Sequence, residues 1–282
     1  QKWQKQGKQD QVPLFFITAS PPQIEERIYE KIKLDSLNPI GCFYKDNLSN
    51  LRPSRFWRLT RQVGYKLQAL MQLRTRLKDE VKLVCWGDDS ESDAIIYNIW
   101  SDICARRLGA GEIRHILRSV SVVADQIDRI LYLQSQIPSN DPVDRIYINL
   151  AEDTDADYYL KFGRRTLPTY NTFQIALDLC QDGRIGLEGL FLVAQDMMLN
   201  YGYTPEELTK SFDELIRRQV LGQETVELMI EFLISRMLFP KDYAPSIAPR
   251  KIALRINNRV YAIEGVHEPW VPDRTDYLHD YR

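Results

Sequence analysis

The sequence predicts an α/β protein, on the strength of three observations. Short apolar runs bounded by turn residues recur at 13–17, 40–44, 83–86 and 143–150, a pattern typical of buried strands. Helical periodicity fills the stretches between these runs, and strands that alternate with helices form βαβ units with a mostly parallel, Rossmann-like sheet. Beyond Thr166 the hydrophobic pattern changes and predicts a succession of amphipathic helices.

Local signals justify the elements of the first half. The first strand ends at Thr18, and Pro21 and Pro22 then open an amphipathic helix, since proline is favoured at a helix start. Gly109 and Gly111 interrupt the helical pattern that follows the third strand. The helices predicted between the strands span 23–33, 53 or 61 to 77, 94–107 and 113–136.

The second half is predicted to be a helical segment followed by a hairpin. Helical periodicity covers 173–179, 187–199, 205–219 and 225–237. Thr204, Pro205 and Glu207 form a helix-start signature of cap, first-position proline and third-position glutamate. Alternation at 251–263 about Asn257-Asn258 indicates a β-hairpin, and the tail after Gly265 is expected to be irregular. We therefore expect an α/β core at 1–165, a helical segment at 166–240, and a hairpin with tail at 241–282.

The composition is that of a soluble globular protein. With 44% hydrophobic and 27% charged residues and a net charge of −2, it offers no electrostatic reason to expect nucleic acid as a partner. The longest apolar stretch, 185–199, is interrupted by Glu188 and Asp196 and is too short to span a bilayer. The four cysteines form no CxxC pair and neither they nor the three histidines cluster, so we expect free thiols, no structural zinc and a cytoplasmic location.

The stretch 83–93 has the strongest chemical signal. An apolar run ends at Gly87, and Asp88, Asp89 and Asp93 follow within six residues. Ligands of open α/β sheets bind beyond the carboxyl ends of the strands, and Mg²⁺ prefers carboxylates together with water and phosphate oxygens. The stretch therefore predicts a metal site at the rim of a sheet.

Three features follow one another along the chain: a strand ending in Thr18, Gly64-Tyr65-Lys66 near a helix start, and Gly87-Asp88 followed by Asp93. In this order they resemble the second, third and fourth motifs of the haloacid-dehalogenase (HAD) superfamily of phosphatases. The context Gly-Asp-x-x-x-x-Asp-x-x-Ile-Tyr, with Ile-Thr-Ala-Ser-Pro upstream, is most similar to the phosphatidate-phosphatase-like branch. The resemblance covers roughly 14–150.

The resemblance implies a role for each residue. Thr18 would hydrogen-bond a phosphoryl oxygen, and Lys66 would supply a compact positive charge for the phosphate and the nucleophile. Asp88 would bind Mg²⁺, Asp93 would ligate it or orient a bound water, and Asp89 is an additional candidate ligand. The implied substrate is a phosphorylated small molecule or lipid.

Each of these residues also has a simpler interpretation. Thr18 alone is typical of a strand-end turn, and Lys66 alone of a solvated helix lysine. The aspartates alone could cap the helix that begins near Ala94, since aspartate is favoured at helix N-termini. The order of the three motifs favours the phosphatase-like site over these interpretations.

The family's first motif, Asp-x-Asp-x-Thr, is missing. It supplies the nucleophile, the acid/base aspartate and part of the metal site, on a strand before the one that contains Phe15. Asp10 is the sole acidic residue before Leu14. In the family's sheet the missing strand lies between the strands that end at Thr18 and Trp86, and without it two apolar strands would have open edges. We therefore expect a fragment of a longer product, inactive as given, rather than a family member that lost its nucleophile.

Three hypotheses follow from the sequence. The first is a Mg²⁺-dependent phosphohydrolase that forms an aspartyl-phosphate. The second is a catalytically dead HAD-like binding or scaffold domain. The third is another doubly wound fold, such as a response-regulator-like or sugar-nucleotide domain, with acidic strand ends by chance.

Three further patterns are interpreted as structural. The acidic stretch 152–157 lacks the glycine and glutamate that an EF-hand requires, because Tyr158 and Arg164 occupy those positions, so a solvated loop at the sheet rim is favoured over contact with substrate or metal. Asp182-Gly183 is expected to be a helix-ending turn. Gly109-Ala-Gly111 lacks the Gly-Lys-Ser/Thr of a P-loop.

Overall fold

The structure is a computed structural model, and it describes residues 13–18, 22–34, 37–44, 55–90, 92–249, 252–253, 262–263 and 268–278, with the side chains of 55–61 and of 252–253 and 262–263 left aside. It is a mixed α/β protein with short parallel sheets, which confirms the predicted α/β class, while the Rossmann-like, HAD-like sheet stays a prediction. Its chain divides into two compact units. Unit 1 contains 1–85, 90–146 and 273–282, and unit 2 contains 86–89 and 147–272.

The elements of the first half alternate between strand and helix, as the apolar runs predicted. They are β1 (Phe15–Thr18), a 3₁₀ turn (Pro22–Ile24) continuing into α1 (Glu25–Leu34), β2 (Gly41–Tyr44), α2 (Arg55–Arg74), β3 (Leu83–Asp88), α3 (Asp93–Cys104), α4 (Ala110–Ser119), α5 (Ala124–Ser135) and β4 (Val143–Asn149).

The described strands of this part form two parallel pairings. β1 pairs with β2 in a register that aligns Phe15 with Gly41 and Thr18 with Tyr44. β3 and β4 are also parallel, because the N–H of Leu83 donates to the carbonyl of Pro142 and the N–H of Asp89 donates to that of Asn149. β5 (Thr166–Thr169) lies on the other side of β4, so β3 is at one edge of a three-stranded sheet.

The core of unit 1 is helical. α2 contributes buried Val63, Leu67 and Met71, and α3 contributes Ile96, Ile99 and Trp100. α2 packs closely against α5 at Gly64, where a Cβ atom would lie 2.8 Å from Val122 Cγ1 and would also meet the Gln126 side chain. This glycine, part of the predicted lysine motif, is therefore explained by the close approach of α5.

The prediction of one continuous helix over 113–136 is wrong. α4 ends at Ser119 and α5 begins at Ala124, because Ser121 adopts a positive φ of 60° and the chain turns there. The N–H of Val122 donates to the carbonyl of Leu117 across this turn at 2.9 Å. Apolar periodicity persists on both sides of the break, so it could not reveal the interruption.

Unit 2 consists mainly of helices. A 3₁₀ helix (Ala156–Phe162) precedes β5, and the helices that follow are α6 (Thr172–Gln181), α7 (Leu187–Tyr201), α8 (Pro205–Arg217) and α9 (Gln223–Ser235). All four predicted helices are confirmed, and the expected turn at Asp182-Gly183 ends α6, with Gly183 at a φ of 67°. Phe173, Phe212, Phe239 and Tyr243 pack edge to face in its core.

The predicted hairpin appears as two short antiparallel strands, β6 (Ile252–Ala253) and β7 (Ala262–Ile263). Their register pairs Ile252 with Ile263, which centres the hairpin between residues 257 and 258. The predicted Asn257-Asn258 turn itself lies outside the described residues, as do the leader at 1–11 and Asp10.

The tail at 268–278 has no helix or strand, as expected, but its contacts are specific. In unit 2 the N–H groups of Arg164 and Arg165 donate to the carbonyls of Pro269 and Trp270, each at 2.9 Å. Gly163 makes this possible: its φ is 75°, and a Cβ there would lie 2.7 Å from both of those carbonyl oxygens.

The cysteines and the helices agree with two further expectations. Cys42, Cys85, Cys104 and Cys180 are all free thiols. Among the described helices, no stretch combines the length and apolarity that a membrane span needs. The predicted domain boundaries at 165 and 240 stay a prediction.

Candidate functional site

Lys66 is a buried cation on α2, held by Asp93. Its side chain is on the buried face of the helix, and the residue is 4% exposed. Its Nζ donates to Asp93 Oδ1 at 2.5 Å. A charged group leaves water at acceptable cost only when it is paired, so this contact explains the burial of both residues. The interpretation of Lys66 as a solvated helix lysine is therefore wrong.

Asp93 is the first residue of α3 and is 5% exposed. Its carboxylate lies in the first helical turn, where the helix dipole favours negative charge. The N-cap position belongs to Ser92, whose side chain makes no capping hydrogen bond. The carboxylate of Asp93 is instead committed to Lys66. Lys66 and Asp93 thus meet in unit 1, although 27 positions separate them in sequence.

Two further polar atoms of α2 are buried close to Lys66 in sequence. Within the described part of the chain, the hydroxyl of Tyr65 and Oε1 of Gln62 find no hydrogen-bond partner. Burial raises the pKa of Tyr65 to about 12, so this phenol is neutral at physiological pH.

Thr18 is the last residue of β1, as the sequence predicted, and it is aligned with Tyr44 of β2. α2 packs against β1 within unit 1. Of the five predicted site residues, Lys66 and Asp93 contact each other directly.

Asp88 and Asp89 come at the end of β3, in unit 2. Asp88 is the last residue of the strand, and the N–H of Asp89 continues the pairing with β4 through the carbonyl of Asn149. Oδ2 of Asp89 accepts hydrogen bonds from the N–H of Ala151, at 2.8 Å, and from the hydroxyl of Thr154. Asp89 therefore fixes the start of the loop that follows β4.

That loop is the acidic stretch 152–157. Glu152, Asp153, Asp155 and Asp157 are exposed, as expected for a solvated loop. Thr154, however, donates to Asp89 and accepts, through its carbonyl, a hydrogen bond from the hydroxyl of Tyr170. The loop is thus anchored at the rim of the sheet rather than merely solvated.

Sequence analysis missed Thr154 and Tyr159 as neighbours of the strand-end carboxylates. Tyr159 is 5% exposed, and its pKa is raised by burial first, then by the negative charges of Asp89, Tyr158 and Asp88. The available signal was positional: both residues closely follow the carboxyl end of β4, where α/β proteins build their sites.

The described residues contain no group of three or more His, Cys, Asp or Glu side chains arranged to hold a metal ion. Asp88, Asp89 and Asp93 therefore do not form a complete metal cage among the described residues. Two of the three have other partners, Lys66 for Asp93 and the 151–154 backbone and hydroxyl for Asp89.

Comparisons with known proteins assign the chain to no group: no family model, no curated protein and no solved structure matches it.

Proposed function

We propose that this chain is part of a Mg²⁺-dependent phosphohydrolase of HAD type, acting on a phosphomonoester through an aspartyl-phosphate whose nucleophile is not in this sequence. The buried Lys66–Asp93 contact is the observation that carries the proposal. A buried cation next to a carboxylate is what a phosphoryl-transfer site of this type requires of its third and fourth motifs.

Phosphoryl transfer depends mostly on positioning and on neutralising the charge of the phosphoryl oxygens. In this proposal the hydroxyl of Thr18 donates a hydrogen bond to one such oxygen. Lys66 supplies positive charge, and its pairing with Asp93 fixes the position of the ammonium group before substrate binds. The substrate is a phosphorylated small molecule or lipid.

Asp88 is the residue of this chain proposed to contact Mg²⁺. When bound, the ion would offset charge on the phosphate. The described residues offer too few neighbouring carboxylates to hold it alone. The proposal therefore requires further carboxylates, which the first motif would bring.

The edges of the sheets support a missing strand. β1 has β2 as its one described neighbour, and β3 ends the three-stranded sheet. Open apolar edges are an aggregation liability that proteins normally cover. We propose that a strand with the sequence Asp-x-Asp-x-Thr, from outside this sequence, pairs with these edges.

Turnover of p-nitrophenyl phosphate tests the proposal. We expect the 282-residue chain with Mg²⁺ to show negligible turnover, and the longer gene product, with an in-frame Asp-x-Asp-x-Thr strand, to show Mg²⁺-dependent turnover. In the longer product, Asp88→Asn should reduce the rate by at least about 100-fold, in the range seen for lost transition-state contacts. Asp128→Asn, at an exposed carboxylate of α5, is the matched control and should leave the rate unchanged.

Turnover by the 282-residue chain itself, abolished by Asp88→Ala, would contradict the requirement for a separate nucleophile. A longer product that lacks the first motif, and is inactive, would favour the second candidate.

That second candidate is a catalytically dead HAD-like binding or scaffold domain. Two contacts favour it. Asp89 accepts hydrogen bonds from Ala151 and Thr154, and Asp93 is paired with Lys66, so both carboxylates already have structural partners. Mg²⁺ or phosphate binding without turnover in the longer product is its expected result.

A further inference from the structure

α7 and α9 share an unusual charge distribution. Together they contain five carboxylates and no lysine or arginine, whereas the whole chain has 37 basic and 39 acidic residues. All five carboxylates are exposed. They are Glu188, Asp196, Glu224, Glu227 and Glu231.

Exposed leucines lie among these carboxylates. Leu192 and Leu199 of α7 are 60% and 75% exposed, and Leu228 of α9 is 54% exposed. Single exposed leucines are ordinary, but neighbouring ones on a strongly charged face mark interaction surfaces.

The start of α7 and the end of α9 are in contact. Arg236, directly after α9, forms an ion pair with Glu188 at the start of α7, and its guanidinium lies 5.2 Å from the ring centres of Phe191 and Phe232. Both helices lead away from this contact, α7 towards its C-terminus and α9 towards its N-terminus.

The three exposed leucines lie on the same helix faces as the two residues of this ion pair. Leu192 and Leu199 follow Glu188 by four and eleven positions, so they share its face of α7. Leu228 precedes Arg236 by eight positions and shares its face of α9. At a rise of 1.5 Å per residue, Leu192, Leu228 and Leu199 lie about 6, 12 and 16 Å from the contact along their helices. We call this surface, the three leucines and the five carboxylates, the acidic leucine face.

We propose that the acidic leucine face binds a basic amphipathic helix of a partner protein. Its leucines would pack against the apolar side of such a helix, and its carboxylates, apart from Glu188, which pairs with Arg236, would flank the lysines and arginines on the other side. Charge complementarity selects this occupant over an anionic membrane or a second copy of the same acidic surface, both of which it repels.

The methionine distribution agrees with this choice. Four of the five methionines of the chain, Met197, Met198, Met229 and Met237, lie on α7 and α9 or directly after α9. Met197 and Met229 are buried, whereas Met198 is half-buried and Met237 is 84% exposed, and methionine side chains at a surface adapt their shape to varied partners.

The probe is a fluorescently labelled leucine–lysine peptide of roughly five helical turns with its leucines on one face. We expect saturable one-to-one binding to the 282-residue chain in an anisotropy titration, weakened by added salt because the flanking charges are exposed. A leucine–glutamate peptide of the same pattern should not bind.

The test variant is Leu192→Ser/Leu199→Ser/Leu228→Ser, which we expect to weaken binding at least about tenfold, as for the loss of apolar anchors. These side chains are exposed, so the fold should persist. Glu224→Gln/Glu227→Gln/Glu231→Gln should weaken binding and flatten its salt dependence.

The matched control is Leu34→Ser/Val123→Ser/Tyr132→Ser, which removes three exposed apolar side chains of unit 1 that are 84%, 61% and 55% exposed. It should bind as the wild type does. Unchanged binding by the leucine variant, or equal binding of the leucine–glutamate peptide, would overturn the proposal. So would a wild-type dimer, seen by sedimentation, that the leucine variant abolishes.

Discussion

Lys66 and Asp93 are exposed to 4% and 5%, so their charges are compensated by protein groups, each other among them, and hardly by water. Removing one partner of a buried ion pair leaves the other charge desolvated, which costs far more than the pair itself contributes. The pair therefore has a structural consequence that is independent of the proposed chemistry.

We expect Lys66→Met to destabilise the protein by about 3–5 kcal/mol, because it removes the Lys66 cation from the buried Asp93 carboxylate. Urea unfolding measures this change. The double variant Lys66→Met/Asp93→Leu should recover most of the loss, since it removes both charges.

The matched control is the exposed pair Arg114–Asp128, whose side chains are 41% and 60% exposed. Arg114→Met should cost less than about 1 kcal/mol, as solvent screens such pairs. Equal losses for Lys66→Met and Arg114→Met would show that burial of the first pair contributes nothing.

Motif order identified Lys66 and Asp93 as a pair of interest, but it could not identify Thr154 or Tyr159. Both are side chains that approach Asp88 or Asp89 from more than 60 positions away, through the return of β4 beside β3. That proximity depends on strand register, which a single sequence does not specify.

At the scale of elements, the start of α8 could be predicted from four consecutive residues, because they contain the whole capping box. Thr204 Oγ1 accepts from the N–H of Glu207, and the Glu207 carboxylate accepts from the N–H of Thr204. The hydrogen bonds from the backbone and then the side chain of Thr204 lower the pKa of Glu207. A carboxyl whose pKa is lowered by folding stabilises the protein above its unfolded pKa, and that contribution is lost as pH falls through the folded pKa.

We therefore expect Glu207→Gln to lower the thermal midpoint at neutral pH, and the difference from wild type to shrink as the pH falls through the folded pKa of Glu207. Thermal melts across an acidic pH series measure this. Glu206→Gln removes a neighbouring charge from the same helix start without touching the cap, and a pH dependence equal to that of Glu207→Gln would contradict the role of the capping box.

Other elements could not be predicted from the local sequence pattern. β5 has only four residues, Thr-Leu-Pro-Thr, and includes Pro168, which weakens any strand prediction. Its place at a sheet edge is where proline is tolerated. The break between α4 and α5 depends on a positive φ at Ser121, a conformation that serine rarely adopts.

At the scale of the whole molecule, unit 1 takes residues from three separate stretches of chain. The tail segment from Asp273 belongs to unit 1 because Tyr277, 5% exposed, donates its hydroxyl to Asp102 Oδ2 at 2.6 Å. Asp102 also accepts from Arg107 Nε at 2.6 Å. A contact between positions 175 apart has no signature in local sequence.

We expect Tyr277→Phe to destabilise unit 1 by about 1–3 kcal/mol, because it leaves a buried carboxylate oxygen without this donor. Chemical unfolding measures the loss, and hydrogen exchange of α3 amides should rise with it. Tyr132→Phe, at a tyrosine 55% exposed, is the control and should change neither. Unchanged exchange in α3 for Tyr277→Phe would contradict the anchoring role of the tail.

The same contact bears on how the protein is made. A ribosome synthesises Asp102 long before Tyr277, and the whole of 147–272 emerges between them. Unit 1 therefore cannot complete its buried network until Tyr277 has emerged, although most of its residues leave the exit tunnel earlier. Unit 2, which ends at residue 272, has its whole chain available before that hydrogen bond can form.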